Sequence, residues 1–533
     1  QMDKNFLETI PTWNDELYLE YHRGTFTTQA AAKSGNRRSE FGLANSEKLA
    51  LFASLYGKEY PKDDFNKAWE KTLFNQFHDI LPGSSIAPVY KDAKEDYDYI
   101  DKTYKKITDQ SLTYLGDLIN TSAIKGDPFI IFNSASWERT DICKLTLPEK
   151  FKDKNIAVTD DKGKVIPFQK SDENVICFLA KNIPGLGYKT YSIIESNTSK
   201  AGDNKSNNNY IENKYFQVKV NDKTGNISSL YDKINKKEVL SSEGNLIQLF
   251  DDRPTMYDAW EIKYTGVKWD LNRADKVIIE ERGDVFSKIK ITKSFLGSNK
   301  DQMTPTSAYP SSFFTQNIIL YNDLNRIDVE MESDWWEEHV LAKIAFPVNV
   351  KCDEATFEIP NGAIKRPTTR NNDWEKARYE VPALTWVDLS DDNYGVSLLN
   401  IDKYGHDIEG NNIRLTLLRS PTYPDPGADR GKHKTIYSLY PHKGSWQDAG
   451  TPKRAFELNN PLIARFTDLH NGTLPGSQAF ITLDNDNMII SAVKKAEKDS
   501  SIIIRIYEST GKEQDGNIII PFGYRNSKFH ILS

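Results

Sequence analysis

The chain has 533 residues, of which 38% are hydrophobic and 11% are aromatic. This length exceeds what one hydrophobic core serves and predicts three or four domains, with enough aromatic residues for sheets and sugar-facing surfaces. Because 69 lysines and arginines are spread among 76 aspartates and glutamates, giving a formal charge of −7, neither nucleic acid nor an anionic membrane is an expected partner.

The cysteines and the first residues of the chain narrow the possible classes of protein further. Cys143, Cys177 and Cys352 lie far apart and are odd in number, which argues against a disulfide framework or a zinc ribbon. We expect them to be small buried hydrophobic residues. The sequence has no run of eighteen apolar residues, and its first residues do not resemble a signal peptide, so it predicts a soluble chain. These patterns leave the compartment and the oligomeric state open.

The first 125 residues predict a lead-in segment and three antiparallel helices. Apolar residues recur there at the three- and four-residue spacing of a buried helix face. We expect a threonine to cap the first helix, Gly57 to end it, and Pro61 to open the second. The third is expected to start from Ser84 or Ser85 as its cap. The predicted spans are residues 27–56, 61–80 and 84–119.

From residue 126 the apolar period changes from 3.6 to 2, which predicts strands. Residues 126–196 are predicted to form a small β domain. Residues 197–209 contain no large apolar side chain and predict a linker or a loop. A large antiparallel β-sandwich is expected over 210–460 and a C-terminal β domain over 461–533. The predicted fold class is therefore multidomain α+β, with a three-helix bundle followed by antiparallel β-sandwich domains.

The second helix carries the strongest chemical signal. Four apolar residues repeat every four positions and predict one buried stripe: Phe65, Trp69, Leu73 and Phe77. Proline and glycine at positions 82 and 83 should end this helix, which places His78 on its last turn. Unpaired carbonyls there favour a cation, so His78 with Asp79 is a candidate corner of a metal site. No further ligand stands at zinc-binding spacing, and a hydrogen-bonded histidine at a helix end is the alternative.

Three motifs resemble one known family. Residues 75–86 (NQFHDILPGSSI) closely resemble the signature of the glycoside hydrolase family 38 α-mannosidases. Residues 16–29 (ELYLEYHRGTFTTQ) resemble the segment that enters the helical bundle of that family. A third motif is most similar to the branch with the cytosolic and vacuolar eukaryotic enzymes and many bacterial ones; it comprises residues 417–421 (LLRSP), 424–426 (PDP), 428–433 (ADRGKH) and 440–444 (YPHKG). The resemblance extends over almost the whole chain.

The resemblance implies roles for four residues. His78 would be a ligand of the catalytic zinc, and Asp79 would hold the sugar beside it. The position that matches His22 lies close to bound sugar in some relatives, and a buried packing loop is its alternative role. The family also brings a loop of its large β domain over the cleft, where Arg430 would reach the sugar; a surface arginine is the alternative.

Two other groups with histidines are not expected to bind metal. His433 and His442 are nine residues apart on one predicted strand, so they lie about 30 Å apart on opposite faces of it. Residues 335–339 (WWEEH) combine acids with a histidine, but a similar string in the family leads us to interpret them as mainly structural.

The resemblance also implies what the chemistry needs beyond this chain. Retaining glycoside hydrolysis uses a nucleophilic carboxylate and an acid/base carboxylate about 5 Å apart. In family 38 both groups, and the remaining zinc ligands, belong to an N-terminal α/β domain. We therefore expect this chain to be the C-terminal portion of a zinc-dependent retaining α-mannosidase acting on terminal α-linked mannose of glycans or oligosaccharides. Without its partner N-terminal domain it should contain no catalytic residue, be inactive, and bind zinc weakly or not at all.

Two alternative functions stay open. A non-catalytic carbohydrate-binding or scaffold protein would also fit the many predicted strands, although the near-intact motif at His78 and Asp79 argues against it. A hydrolase of mannosyl-glycerate-type compounds within the same family would fit all three motifs.

Overall fold

The computed structural model describes residues 9–14, 16–152, 154–196, 210–295 and 312–521. Over these residues a helical N-terminal region is followed by many antiparallel sheets, which confirms the predicted α+β class. The predicted linker at 197–209 lies outside the described residues. No described helix is both long enough and apolar enough to cross a membrane.

Three long helices form the bundle: α1, Ala30–Leu55; α2, Lys62–Asn75; and α3, Ala87–Leu118. A 3-10 helix, Glu20–Phe26, leads into α1. The three helices share a core in which α3 contributes Tyr97, Ile100 and Ile107 at helical spacing. Three short helices follow within the β region: α4, Asp373–Ala377; α5, Trp446–Ala449; and α6, Thr451–Asn459.

The helix ends differ from the predicted ones, and at α1 a side chain from a distant segment replaces the expected local cap. α1 begins at Ala30 without a threonine cap; the carboxylate of Asp429 accepts its first N–H groups. α2 ends at Asn75, so the prediction that His78 lies on its last turn is wrong. α3 begins only at Ala87, because the two serines expected as its cap hydrogen-bond to Asp79 instead.

The predicted apolar stripe of α2 is buried only in its first half. Phe65 is buried, whereas Leu73 is 60% exposed and Phe77 lies beyond the helix and is 54% exposed. The side chains of α2 that are buried follow a different line along the helix: Phe65, Ala68, Thr72 and Asn75. The apolar end of α2 therefore lies open beside His78.

The strands in chain order are β1, Asp127–Asn133; β2, Arg139–Thr146; β3, Ile156–Thr159; β4, Val165–Ile166; β5, Phe168–Asp172; β6, Val175–Ile183; β7, Gly187–Glu195; β8, Tyr210–Glu212; β9, Phe216–Val220; β10, Ile227–Asp232; β11, Lys237–Glu238; β12, Leu246–Asp252; β13, Tyr264–Asp270; β14, Lys276–Arg282; β15, Phe286–Phe295; β16, Ser312–Tyr321; β17, Ile327–Trp335; β18, Val340–Pro347; β19, Glu354–Ile359; β20, Gly362–Pro367; β21, Val381–Pro382; β22, Trp386–Ser390; β23, Tyr394–Asn400; β24, Gly405–Glu409; β25, Asn412–Arg419; β26, Gly431–Lys443; β27, Ile463–Phe466; β28, Ser477–Ala479; β29, Thr482–Leu483; β30, Met488–Lys495; β31, Ile502–Glu508; and β32, Ile518–Ile519.

Two sheets build the small β region after the bundle. One has the order β27-β1-β7-β3-β4, with β28 also pairing with β7, and the other has the order β2-β6-β5. Their facing apolar side chains, among them Phe129, Phe178 and Tyr191, form one core. Because β27 and β28 come from residues 463–479, the chain returns to this region after the large β region.

The large β region carries the biggest core of the protein. A nine-stranded sheet has the order β14-β15-β16-β17-β26-β23-β22-β19-β20, and a six-stranded sheet has the order β13-β12-β18-β25-β24-β21. A four-stranded sheet, β11-β10-β9-β8, joins the same core. Alternating apolar residues fill the space between the sheets, and Trp335 is completely buried there.

The bundle has a second core, which it shares with the small β region and the C-terminal strands. Phe52 of α1 stacks on Phe480 with ring centroids 4.5 Å apart, and Leu115 of α3 belongs to the same cluster. Tyr188 of the small β region and Ile490 of the hairpin β30-β31 complete it. These segments therefore depend on one another for burial of their apolar surface.

We expect thermal unfolding in at least two transitions, one of them uniting the bundle, the small β region and the hairpin β30-β31. Phe52→Ala should lower that transition selectively, because truncating a buried phenylalanine costs about 3–5 kcal/mol. Phe357→Ala, in the core of the large β region, should lower the other transition. Calorimetry of the three proteins tests this, and a common shift of every transition by either variant would contradict it.

Candidate functional site

His78 and Asp79 lie side by side in the turn between α2 and α3. The His78 side chain is 76% exposed and that of Asp79 is 45% exposed. His78 Nε2 lies 3.2 Å from Asp79 Oδ2, and the imidazole packs against the Phe77 ring with centroids 4.1 Å apart. Two groups that can bind a metal ion or a hydroxyl therefore face solvent together.

Residues just before α3 and in its first turn hold this turn. Ser84 Oγ donates a hydrogen bond to Asp79 Oδ1 at 3.0 Å, and Ser85 Oγ donates to the Asp79 carbonyl at 2.7 Å. The Ser85 N–H in turn donates to the Tyr90 hydroxyl at 2.9 Å. One carboxylate oxygen of Asp79 is thus fixed by Ser84, while the other faces His78.

The turn is also pressed against the start of α1. Lys33, which is buried, donates hydrogen bonds to the carbonyls of Thr28 at 2.6 Å and Leu81 at 2.9 Å. Gly83 has a φ of +91°, and a Cβ there would lie 2.2 Å from the Thr28 carbonyl oxygen. Only glycine fits this position, because any side chain would clash with the backbone of another segment.

A loop from the large β region completes the support. Asp429 accepts the N–H of Gln29 at 2.8 Å and that of Ala30 at 2.7 Å, while the Gln29 side chain donates to Asp425 at 2.7 Å. Gln29 and Asp429 have φ angles of 61° and 59°, which cost L-residues about 1–2 kcal/mol each. Strain of this kind persists where the surroundings enforce it, often at functional sites. We name this joint, formed by Thr28, Gln29, Lys33 and Asp429, the α1 anchor.

The α1 anchor explains why three distant motifs belong together. Residues 16–29, 75–86 and 417–433 meet there through the contacts just described. Lys33 and Asp429 stood within or beside these motifs, but the sequence contained no signal that they cap a helix and fix a turn. Only contacts between segments some 400 residues apart disclose that role.

Arg430 and His22 lie on segments joined to this support. Arg430 forms an ion pair with Glu338 and is partly exposed. His22 is exposed on the 3-10 helix, whose Gly24 N–H donates to the Trp260 carbonyl at 2.6 Å. Among the described residues, no hydrogen bond or ion pair connects either of them to His78 or Asp79.

The two histidines at positions 433 and 442 have structural partners. His433 and His442 both lie on β26, at opposite ends of the strand. The ring of His433 hydrogen-bonds to the Asp429 carbonyl at 2.7 Å, and the buried ring of His442 hydrogen-bonds to Asp388 at 2.8 Å. In the 335–339 string, Trp335 is buried in the core, as a structural role requires.

An apolar surface adjoins the candidate site. The exposed fractions of its side chains are 60% for Leu73, 67% for Phe74, 54% for Phe77 and 54% for Ile86. Large apolar side chains grouped at a surface mark places where another molecule or segment packs. His78 and Asp79 lie within this sequence stretch, at its polar centre.

The residues fit part of a metal site. Among the described residues, no group of three or more histidine, cysteine, aspartate or glutamate side chains could hold a metal ion. Zinc sites use three or four protein ligands, whereas this turn offers His78 and the neighbouring carboxylate of Asp79. Their exposure leaves room for further ligands from outside the described residues.

The buried Lys33 makes a pH-dependent prediction. Burial lowers its pKa to about 7, with Asp429 raising it and Lys403 lowering it further, whereas an unfolded lysine has a pKa of about 10.4. Between these values the unfolded state binds more protons, so Lys33 makes the free energy of unfolding rise with pH. Below pH 7 the lysine is charged in both states, and its burial destabilises the folded state by the full amount.

We therefore expect the stability of the unmodified protein, relative to Lys33→Met, to increase between about pH 7 and about pH 10. Urea unfolding of both proteins across this range provides the measurement. Lys219→Met, which changes an exposed lysine, should run parallel to the unmodified protein. Parallel curves for Lys33→Met as well would show that Lys33 titrates alike in both states.

Three family models match separate segments of the chain in one order. The alpha mannosidase middle domain matches residues 20–115, which contain the bundle. The glycosyl hydrolases family 38 C-terminal domain matches residues 211–427, and the family 38 C-terminal beta sandwich domain matches residues 487–528.

Known proteins align over nearly the whole chain. Alpha-mannosidase G of Dictyostelium discoideum is 30% identical, with 96% of this chain and 49% of the relative covered. Alpha-mannosidase 2C1 of Homo sapiens is 30% identical, with 95% of this chain and 46% of the relative covered. The chain therefore spans about half the length of the curated relatives that it matches.

A solved structure supports the fold independently. The alpha-mannosidase from Enterococcus faecalis V583 superposes with a TM-score of 0.82 at 17% identity, covering 97% of this chain and 67% of that chain. At this identity the likeness concerns the fold. Taken with the three matched domains and the aligned relatives, it shows that the chain belongs to glycoside hydrolase family 38.

Proposed function

We propose that this chain is part of a zinc-dependent retaining α-mannosidase that hydrolyses terminal α-linked mannose from glycans or oligosaccharides. The observation that carries the proposal is the exposed pair of His78 and Asp79, held from beneath by three segments, in a chain of family 38. Exposed polar groups on a rigid support are what a binding site requires. A metal-binding or sugar-binding role uses this arrangement directly.

His78 would hold zinc as a neutral imidazole, and the bound ion would supply a positive charge that favours binding of neighbouring sugar hydroxyls. Asp79 would accept hydrogen bonds from those hydroxyls. Since Ser84 fixes one of its carboxylate oxygens, the other keeps a defined direction. Preorganisation of this kind orients the sugar without a further ordering cost at each binding event.

The cleavage itself needs two carboxylates, a nucleophile and an acid/base. Asp425 and Asp429 do not suit these roles, because both are buried and hydrogen-bonded to the start of α1. We propose that the nucleophile, the acid/base and the remaining zinc ligands come from an N-terminal catalytic domain. Its contact with this chain would cover the apolar residues Leu73, Phe74 and Phe77 beside the turn.

Arg430 and His22 are proposed to contact the substrate at the edge of the same site. Arg430 offers planar N–H donors that match paired sugar oxygens, and its ion pair with Glu338 lies at the protein surface. His22 is exposed and offers one donor and one acceptor. Arg430 directly follows Asp429 of the α1 anchor. The 3-10 helix with His22 leads to Thr28 of the same anchor, and the Thr28 hydroxyl accepts a hydrogen bond from Arg419.

The test compares this chain alone with the longest polypeptide in which it is encoded. Release of nitrophenol from an aryl α-mannoside should occur only with the longer protein and should fall sharply in Asp79→Asn. Turnover by the chain alone would mean that the nucleophile lies among its own residues. Mannoside binding without turnover by the longer protein would favour a non-catalytic role, and hydrolysis restricted to mannosyl-glycerate would reassign the substrate.

A further inference from the structure

A deep cleft lies between the bundle, the large β region and the hairpin β30-β31. Its volume is about 630 Å³, within the roughly 300–1,000 Å³ that small-molecule sites occupy. One wall follows α1 from Arg37 to Lys48, a length of about 16 Å at 1.5 Å per residue. Neither His78 nor Asp79 lines it.

Arg37 is a buried residue of this wall that keeps unpaired N–H groups, although Glu40 and Glu358 attract its charge. Its side chain lies over the Tyr404 ring at 4.5 Å, and the residue is 4% exposed. Its Nε and Nη2 atoms have no hydrogen-bond acceptor among the described residues. Buried donors in native proteins are nearly always paired with protein, water or ligand, so these N–H groups call for an acceptor.

Acceptors stand among the donors around the cleft. Glu358 accepts the Thr385 N–H at 2.5 Å, and Glu47 accepts the Trp69 indole N–H at 3.1 Å. The charged lining residues are Arg37, Lys48, Lys62, Lys494, Lys495 and Arg505 on the positive side, and Glu40, Glu47, Glu358 and Glu497 on the negative side. Charges of both signs line the cleft, which disfavours an apolar ligand and suits a ligand whose groups both donate and accept hydrogen bonds.

Aromatic rings supply the rest of the lining. Five of them are half-buried, so that each leaves part of its surface open: Phe41, Tyr60, Trp69, Phe456 and Tyr507. Rings combined with paired donors and acceptors suit a ligand that has C–H faces and a rim of hydroxyls, since each hydroxyl can both donate and accept.

We propose that this cleft is a second carbohydrate site, which binds a neutral saccharide of one or two pyranose rings. Arg37 would donate to ring or hydroxyl oxygens, Glu47 and Glu358 would accept from hydroxyls, and Trp69 would cover one sugar face. The site uses side chains that the proposed metal and mannose chemistry leaves unused. It would hold a branch of a glycan, or a product, against the body of the protein.

The test titrates the chain with methyl α-mannoside, α-1,2-mannobiose, cellobiose and inorganic phosphate. Calorimetry gives affinity, and hydrogen exchange of peptides from α2 and from β30-β31 gives location. We expect saturable binding of at least one neutral sugar, protection of both peptides, and no binding of phosphate. Absence of sugar binding, or equal binding of phosphate, would overturn the proposal.

Two variants locate the ligand. Arg37→Met removes the unpaired donors and should weaken sugar binding. Ala44→Phe fills the cleft without removing a charge and should weaken sugar binding at least tenfold, so it tests the proposal even if Arg37→Met is too unstable to measure. Ala31→Phe, on the exposed side of α1, is the matched control and should bind as before. If Asp79→Asn abolishes sugar binding while Ala44→Phe does not, the sugar lies at the turn and the cleft assignment fails, whatever the outcome for the proposed hydrolase.

Discussion

We expect His78→Ala, in the longer polypeptide that we propose to be an α-mannosidase, to abolish zinc retention and to lower turnover of an aryl α-mannoside at least about 100-fold. Even residues that only orient zinc ligands cost about 10–100-fold in metal affinity or activity, and removal of a ligand costs more. The fold should survive, because the His78 side chain is 76% exposed and supports no core. Metal content after gel filtration and the hydrolysis rate provide the two measurements.

His470→Ala serves as the matched control for this prediction. The His470 ring hydrogen-bonds to the Asp468 carbonyl, in the segment between β27 and β28. The substitution should change neither the metal content nor the hydrolysis rate. The chain by itself should retain zinc weakly or not at all, since the turn offers too few ligands. Stoichiometric zinc that survives His78→Ala in the isolated chain would show that other residues hold the metal.

The second large effect is expected from Asp429→Ala. This change leaves the buried N–H groups of Gln29 and Ala30 without an acceptor, each at a cost of about 1–3 kcal/mol. Burial destabilises the charged carboxylate of Asp429, as its raised pKa indicates. Removing this carboxylate removes that desolvation cost and offsets part of the loss. We expect the free energy of unfolding to fall by about 2–4 kcal/mol. The turn at residues 77–85 should then exchange its amide hydrogens faster.

The control for Asp429→Ala is Asp448→Ala, which removes an exposed carboxylate near the start of α5. Asp448 completes the capping box of α5 with Ser445, and its loss should cost about 1 kcal/mol. It should leave exchange at residues 77–85 unchanged. Denaturant unfolding with exchange mass spectrometry measures both effects. An unaltered turn in Asp429→Ala would show that the α1 anchor does not position His78 and Asp79.

Local patterns were sufficient wherever neighbouring residues decide the outcome. Apolar spacing predicted three helices in the right places, because burial of one face is a property of the repeat itself. Gly57, with a φ of +104°, lies just beyond the end of α1, where the predicted C-terminal glycine was expected. The change to a period of two predicted the β-rich remainder for the same reason.

Local patterns failed at the end of α2 and at the start of α3. The apolar stripe through Leu73 and Phe77 looked buried, but the helix ends at Asn75 and both side chains are exposed. Ser84 and Ser85 suited a helix cap, but they hydrogen-bond to Asp79 and α3 starts later. Each serine could hydrogen-bond either to the first N–H groups of α3 or to Asp79, and in the folded protein both bond to Asp79.

The sequence by itself determined the class of the protein, the order of helices and strands, and the motif that singles out His78 and Asp79. The fold class and the order of elements follow from periodicity within short windows, and the motif was identified by its resemblance to family 38. Only the tertiary structure decided that Asp429 caps α1, that Lys33 bridges Thr28 to Leu81, and that Arg37 faces a cleft without an acceptor. Hydrogen bonds of buried groups depend on what lies within about 3 Å in space, and sequence distance carries no information about that.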